Sequence, residues 1–297
     1  WPTLSEELGV DTEYTQKGNL RMGKTEEHLK KLRTLADSAK SVGLDVRMID
    51  EKEVKEICPY LSDEVIGASW CPTDGHANPL TTTLGYYKRA LEMGVRFYTD
   101  APVKALQKVK GKVRKVILND GTVFEGKTVI LVAGYESREI ARTIGIDIPM
   151  TRLIDECLVT EMQPHMIDVM FGCATADFYG HQTHHGSFVF GSDSGWEVVD
   201  EMVDPSTNTA DPSKLITNSM TLSASCRSYI PALRDAKIVR SWCGWLDEAF
   251  DGVPFLSPVE EAPGLILACG FTGHGFGTAP AVGLMLAQMV VGEKTVV

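Results

Sequence analysis

The residues of this chain best equipped for chemistry stand near its end, in Gly270-Phe-Thr-Gly-His-Gly-Phe-Gly277. An apolar stretch, Leu265 to Ala268, leads into them, and an uncharged Ala-, Leu- and Met-rich stretch, Pro280 to Val291, follows. Strand, glycines, then helix brings backbone N–H groups and the positive end of a helix to one point. Such a point stabilises negative charge developing on a ligand, and glycine, lacking Cβ, admits a flat ring. His274 would stand beside whatever docks there. A Gly-rich turn around a packing histidine has the same composition, so these residues alone leave both readings open.

The other histidines carry weaker signals. His76 lies in Cys71-Pro-Thr-Asp-Gly-His-Ala-Asn-Pro79, a loop by composition, and reads as solvent-facing. His181, His184 and His185 form H-x-x-H-H between Tyr179 and Gly186. Zinc would need further Cys, His or carboxylate ligands at helical or knuckle spacing, so no metal is expected. The trio reads as a turn before a strand, or as the lining of a substrate pocket. There is no G-x-S-x-G, Walker A loop, H-E-x-x-H or complete G-x-G-x-x-G. Gly273-x-Gly275-x-Gly277 is no phosphate fingerprint, because that motif opens a βαβ unit with an acid about 20 residues further on.

These residues need elements to hold them. Trp1 to Gly9 reads as the last turns of an amphipathic helix, Leu4 and Leu8 on one face and Gly9 as its stop, so the chain is expected to be a piece of something longer. Thr15 to Gly23 suggests a turn and a short strand. Thr25 caps a helix to Val42, with Leu29, Leu32, Leu35, Ala36 and Ala39 at helical spacing. Val46 to Ile49 is a strand, and Asp50 caps a helix from Glu51 to Ile57. Val65 to Trp70 is a strand, Leu80 to Met93 a helix, and Val95 to Tyr98 a further strand. Val103–Val109 and Val113–Leu118 make a hairpin around Lys110-Gly111, and Asn119-Asp-Gly121 is a turn.

Thr128 to Ala133 is so apolar that it predicts a strand buried on both faces, ending at Gly134 and feeding a helix from Ser137 to Ile144. Leu158–Glu161 and Ser187–Gly191 fit strands, and Asp211 to Ile230 a capped helix. Strand-and-helix units thus alternate with antiparallel-looking segments. The fold class is α/β (α+β): a layer of the nucleotide-binding kind interleaved with a second, antiparallel-rich domain. By this division residues 1–8, 73–150 and 255–297 form the nucleotide-binding layer, and 9–72 and 151–254 the second domain.

Bulk properties narrow the function classes. The 297 residues, 43% hydrophobic, suffice for one large domain or two ordinary ones. A net charge of -11 argues against a broad nucleic-acid surface. No apolar run approaches the roughly 20 residues a membrane-spanning helix takes. The seven cysteines are scattered without a C-x-x-C pair, which favours free thiols and a reducing, cytoplasmic location.

Several of these stretches, taken in order, resemble FAD-dependent oxidoreductases of the D-amino-acid oxidase/sarcosine oxidase family. They are Asp74-Gly-His-Ala-Asn-Pro79 with the following helix, Gly94-Val-Arg-Phe-Tyr98 and Val103, and Thr128 to Gly134. Ser241-Trp-Cys-Gly244, Asp251-Gly-Val-Pro254 and Gly270 to Gly277 with Ala279-Pro280 complete the series. The last is similar to the G-F-[ST]-G-H-G-F segment of β-type subunits of heteromeric sarcosine oxidase, proline dehydrogenase and hydrogen cyanide synthase. The resemblance implies an incomplete FAD/NAD(P)-binding Rossmann-like domain interleaved with an antiparallel-sheet substrate domain. It also implies FAD, with the backbone at Val103 against adenine, Ala133-Gly134 near the dinucleotide, and Gly270, Phe271, Thr272, Gly273, His274, Gly275 and Phe276 at the flavin. The family's N-terminal G-x-G-x-x-G is absent, and Leu246 and Thr272 stand where some relatives carry arginine.

The implied activity is oxidation of the C–N bond of an amine or amino acid, with hydride passing to flavin N5, in one subunit of a larger enzyme. His274 would tune the flavin or the amine's protonation, and Tyr179 and His181 would line the far wall of the pocket. FAD is expected of the full-length protein, and weak or absent binding of this chain alone. The implied partners are a small amine or amino-acid substrate and other subunits, with no nucleic acid and no membrane span. The missing diphosphate loop keeps one alternative open: a flavin-free interaction or scaffold module derived from such an enzyme.

Overall fold

Short polar side chains open several of the helices where their types place them. A computed structural model describes residues 1–175, 178–192, 203–204, 209–210 and 212–296. α1 spans Leu4–Leu8, buries both leucines and stops at Gly9, whose φ is 65°. β1 is Asn19–Gly23. The Thr25 hydroxyl accepts the His28 N–H to begin α2, Glu26–Ser41, and the Asp50 carboxylate accepts the Glu53 N–H to begin α3, Glu51–Ile57, after β2, Arg47–Asp50. β3 is Gly67–Cys71. The Asn78 Oδ1 accepts the N–H groups of Leu80 and Thr81 at the start of α4, Pro79–Glu92.

β4 (Val103–Val109) and β5 (Lys112–Leu118) form the expected hairpin. Lys110 and Gly111 both take positive φ, 51° and 79°, as a two-residue turn that follows strand twist requires. β6 is Val123–Glu125, β7 Val129–Leu131 and α5 Ser137–Arg142. β8 (Met150–Thr160), β9 (Met170–Cys173), β10 (Tyr179–Gln182) and β11 (Phe188–Ser192) follow. The short strands β12 (Val203–Asp204) and β13 (Thr209–Ala210) pair with each other. α6 is Pro212–Tyr229; its expected cap, Asp211, lies outside the described residues. β14 (Ile238–Ala249), β15 (Phe255–Pro258), β16 (Leu265–Cys269) and α7 (Gly275–Val291) complete the chain.

Two compact units result: Trp1–Ala90 with Asp155–Gly244, and Leu91–Ile154 with Trp245–Val297. Compactness divides the chain at points other than the boundaries read from sequence. Residues 73–90 join the first unit because backbone bonds tie His76 to Thr15 and Asn78 to Thr12, while Gly85 of α4 leaves no room for a Cβ beside Leu8 and Val10.

The first unit is built on an eight-stranded sheet in the order β14-β8-β11-β10-β9-β1-β3-β2. The β1–β9 pair is parallel, and β1–β3, β3–β2, β9–β10, β10–β11 and β11–β8 are antiparallel. One face buries Leu20, Met22, Leu158, Phe171, Phe188 and Phe190 with Leu222 and Ile230 of the α6 region. Phe171 lies 5.7 Å from Phe190 between ring centroids, in the tilted geometry aromatic pairs favour.

In the second unit β16 pairs parallel with β7 and antiparallel with β15, and β4, β5 and β6 form a separate antiparallel sheet. Leu106, Val113, Leu131, Ile140, Met150, Leu265, Leu267 and Cys269 share its core. Three details depart from the sequence reading. The Thr128–Ala133 stretch is not buried on both faces: β7 is an edge strand, so Leu131 points into the core while Ile130 and Val132 are exposed. Residues 95–98 form no strand, and Val95, Phe97 and Tyr98 are exposed. The last helix begins at Gly275, five residues before Pro280, because Gly275, Phe276 and Gly277 themselves take helical geometry.

Candidate active site

The second unit brings most of the expected cofactor residues to one end of its parallel strand pair. β16 and β7 run side by side with Leu267 opposite Leu131, so Gly270 and Ala133-Gly134 leave the sheet at the same carboxyl end. Ligands of open α/β sheets bind beyond the carboxyl ends of such strands. The Ser137 hydroxyl accepts the Ala133 N–H at 3.0 Å and holds that exit in place. Val103 stands apart on the other sheet, at the start of the edge strand β4 and opposite Leu118.

The Gly270–His274 loop is pinned to the last residues of β14. The Asp247 carboxylate accepts the Gly270 N–H at 2.6 Å, and the Asp247 carbonyl accepts the Thr272 N–H at 2.9 Å. Phe271 forms an isolated antiparallel bridge with Glu248, and the Thr272 hydroxyl accepts the Ala249 N–H at 3.3 Å. Gly270, Thr272 and Gly273 all adopt positive φ, 73°, 51° and 78°. Thr272 is β-branched, so its backbone there is strained, and the bonds to Asp247 and Ala249 offset that strain.

His274 is the residue that begins α7, and no side chain caps the helix. Its Nδ1 lies 2.7 Å from the Thr272 carbonyl. A carbonyl only accepts, so Nδ1 carries the proton and Nε2 is the nitrogen left to face a ligand. The helix's positive end, the exposed Gly273 and His274, and the open space where Gly134 and Gly277 would carry a Cβ suit a flat group that gains negative charge. The ring end of a flavin has those properties, and the residues present fit it.

The first unit places Tyr179 and His181 on β10 with both side chains on the outer face of the sheet, opposite the phenylalanine core. Their row continues to Gly191 and Cys157, since Gly191 pairs with both Tyr179 and Cys157. The Tyr179 hydroxyl donates to the Asp155 carboxylate at 2.7 Å. Its ring lies so close over Gly191 that a Cβ there would stand 2.4 Å from the ring.

His76 is not the solvent-facing residue that loop composition implies. It is half-buried, and its ring stacks on His181 at 4.2 Å between centroids and 22° between planes. The bonds to Thr15 turn it inward. Burial, reinforced by the charge of His76, pushes His181 down to about 4. Burial also lowers His76, against the pull of Glu13 in the other direction. His184 and His185 stack on each other, away from this pair, in the exposed turn before β11. Among the described residues no group of three or more His, Cys, Asp or Glu is arranged to hold a metal ion.

Sequence reasoning missed Asp247, Asp155, His76 and Gly191. A glycine inside a strand marks close approach by a neighbour, which was the available signal for Gly191. Nothing local marks the other three. The seven cysteines are free thiols. Cys269 is fully buried, and burial pushes its thiol up to about 11, so it stays protonated and unreactive.

The parallel strand pair, the glycine loop and the helix behind it make up a strand–loop–helix unit of the α/β nucleotide-binding type. The family described as FAD dependent oxidoreductase (DAO) matches residues 1–289. The chain belongs to that family. It is 25% identical over 312 residues to the sarcosine oxidase beta chain of an Arthrobacter species, covering 99% of this chain and 71% of that protein. It is 25% identical over 282 residues to an opine oxidase subunit of Rhizobium meliloti, covering 91% and 70%. Among solved structures, L-proline dehydrogenase from P. horikoshii superposes with a TM-score of 0.86 at 28% identity, over 99% of this chain and 77% of that one. Glycine oxidase from Geobacillus kaustophilus shares the fold at a TM-score of 0.87 and 21% identity, over 99% and 77%. No helix among the described residues is long and apolar enough to cross a membrane.

Proposed function

We propose that this chain carries the FAD- and substrate-handling part of an enzyme that oxidises the C–N bond of a small amine or amino acid. The observation that supports the reading best is the Asp247-anchored loop Gly270–His274 opening α7 beside Ala133-Gly134. Relatives named for sarcosine, opine, glycine and proline all act on substrates of that class. Two of them are named as subunits, in keeping with a place here in a heteromeric enzyme.

In this reading residues 1–8, 73–150 and 255–297 serve the FAD domain, and 9–72 and 151–254 the substrate domain. Val103, Ala133, Gly134 and Gly270 to Phe276 hold FAD, the first by its edge-strand backbone at the adenine. Bound there, FAD would supply the two-electron acceptor for hydride leaving the substrate's C–N carbon. The positive end of α7 would stabilise negative charge gained by the ring. His274 offers Nε2 to the ring or to the amine, and Tyr179 and His181 line the substrate side. A neutral His181 accepts a hydrogen bond from an amine and orients it.

The test is a fluorescence titration of FAD with this chain and with the full gene product, followed by anaerobic flavin bleaching with sarcosine, proline, glycine and D-amino acids. We expect FAD binding, and bleaching by one of these substrates. A full product that stays colourless in excess FAD would overturn the enzyme in favour of an interaction module.

A further inference from the structure

Two imidazoles meet face to face in the first unit, and both backbones are held. His76 exchanges N–H···O bonds of 2.8 and 3.0 Å with Thr15. The approach is possible because Gly75 carries no side chain; a Cβ there would stand 2.3 Å from the Thr15 carbonyl oxygen. The Asp74 carboxylate ties the same turn to Gly75 N–H and to the Asn19 amide, each at 2.9 Å. His181 is fixed by its strand, opposite Val189 of β11. The stack at 4.2 Å therefore joins two segments whose backbones are hydrogen-bonded.

The charges around it come from few directions. Glu13, on the segment leading to β1, acts on His76, and its carboxylate accepts the Asn78 amide at 3.0 Å. On β10 the nearest titratable group is Tyr179, whose hydroxyl is engaged with Asp155 of β8. The neighbouring strand positions Val189, Gly172 and Met170 carry no charge. No carboxylate is among the influences on His181; its burial and the His76 ring dominate.

We propose that His76 is a positioning residue for His181: the stack fixes the His181 ring on the outer face of the sheet and keeps it an uncharged hydrogen-bond acceptor. The proposal rests on the reading that this face receives the substrate, and it adds the chemistry received there. A neutral, immobile imidazole beside the Tyr179–Asp155 pair suits a protonated amine rather than an anion. Protonating either ring would place a charge against its stacked neighbour in a half-buried setting, so each ring opposes charge on the other.

The test is NMR titration of the histidine side chains in the full chain, for the wild type, His76→Phe and His76→Ala. His76→Phe keeps a flat ring in the stack and removes its charge. We expect the His181 midpoint to rise in that variant while remaining below the ordinary imidazole range, because burial persists. His76→Ala should also increase motion of the His181 ring. In the FAD-loaded full gene product, the acid limb of kcat/KM should move in the same direction as the midpoint. An unchanged midpoint in His76→Phe would overturn the proposal, and that variant decides alone if His76→Ala fails to fold. A coupled titration with no amine oxidation would count against the functional reading and leave the pair intact.

Discussion

The Asp247 carboxylate accepts the Gly270 N–H at 2.6 Å, joining the end of β14 to the loop that opens α7. The residues are 23 apart in sequence, and the bond sets where the glycine loop begins. Asp247→Ala removes a charged acceptor from a part-buried N–H and should destabilise the chain by about 1.5–3 kcal/mol. Asp247→Asn should lose less, since an amide oxygen still accepts. Urea unfolding of both variants, with FAD titration of the full product, checks the order; equal stability to wild type would show that the loop is held by Thr272 and the Glu248–Phe271 bridge alone.

Gly191→Ala places a methyl group where the Tyr179 ring lies. The ring must swing off the sheet and give up Asp155. Overpacking of this kind costs about 1–3 kcal/mol. Thermal unfolding and the ultraviolet spectrum of tyrosine report the two effects together, and a variant that matches wild type in both would contradict the close approach.

Gly75→Ala meets backbone rather than a side chain, because the obstacle is the Thr15 carbonyl. Backbone on both sides of the clash is hydrogen-bonded and cannot yield cheaply. A loss of about 2 kcal/mol or more is expected in urea unfolding. The His76–His181 stack should break in the same variant, seen as a changed His181 ring environment by NMR.

His181→Phe tests linkage. His181 titrates at about 4 when folded and at the ordinary 6.5 when unfolded. Between those values the unfolded chain binds the extra proton, so stability from this group is complete above pH 6.5 and is lost as pH falls towards 4. The full span is on the order of 3 kcal/mol. Phenylalanine removes the proton site, and the slope of stability against pH between 6.5 and 4 should flatten. A slope identical to wild type would place the acid sensitivity elsewhere.

Sequence determined what depends on neighbours along the chain. The caps at Thr25 and Asp50, the turn at Lys110-Gly111, the apolar strand Leu265 to Ala268 and the glycine-rich exit before the last helix were all legible in this way. The order of motifs also pointed to the family. Tertiary structure decided what depends on distant segments. It made β7 an edge strand with one open face, turned His76 inward onto His181, and set Asp247 against Gly270 and Tyr179 over Gly191. Residues 95–98 have strand composition but form no strand, because pairing takes a partner that local propensity cannot supply. A single sequence encodes which residues can bond; strand order and register decide which of them meet.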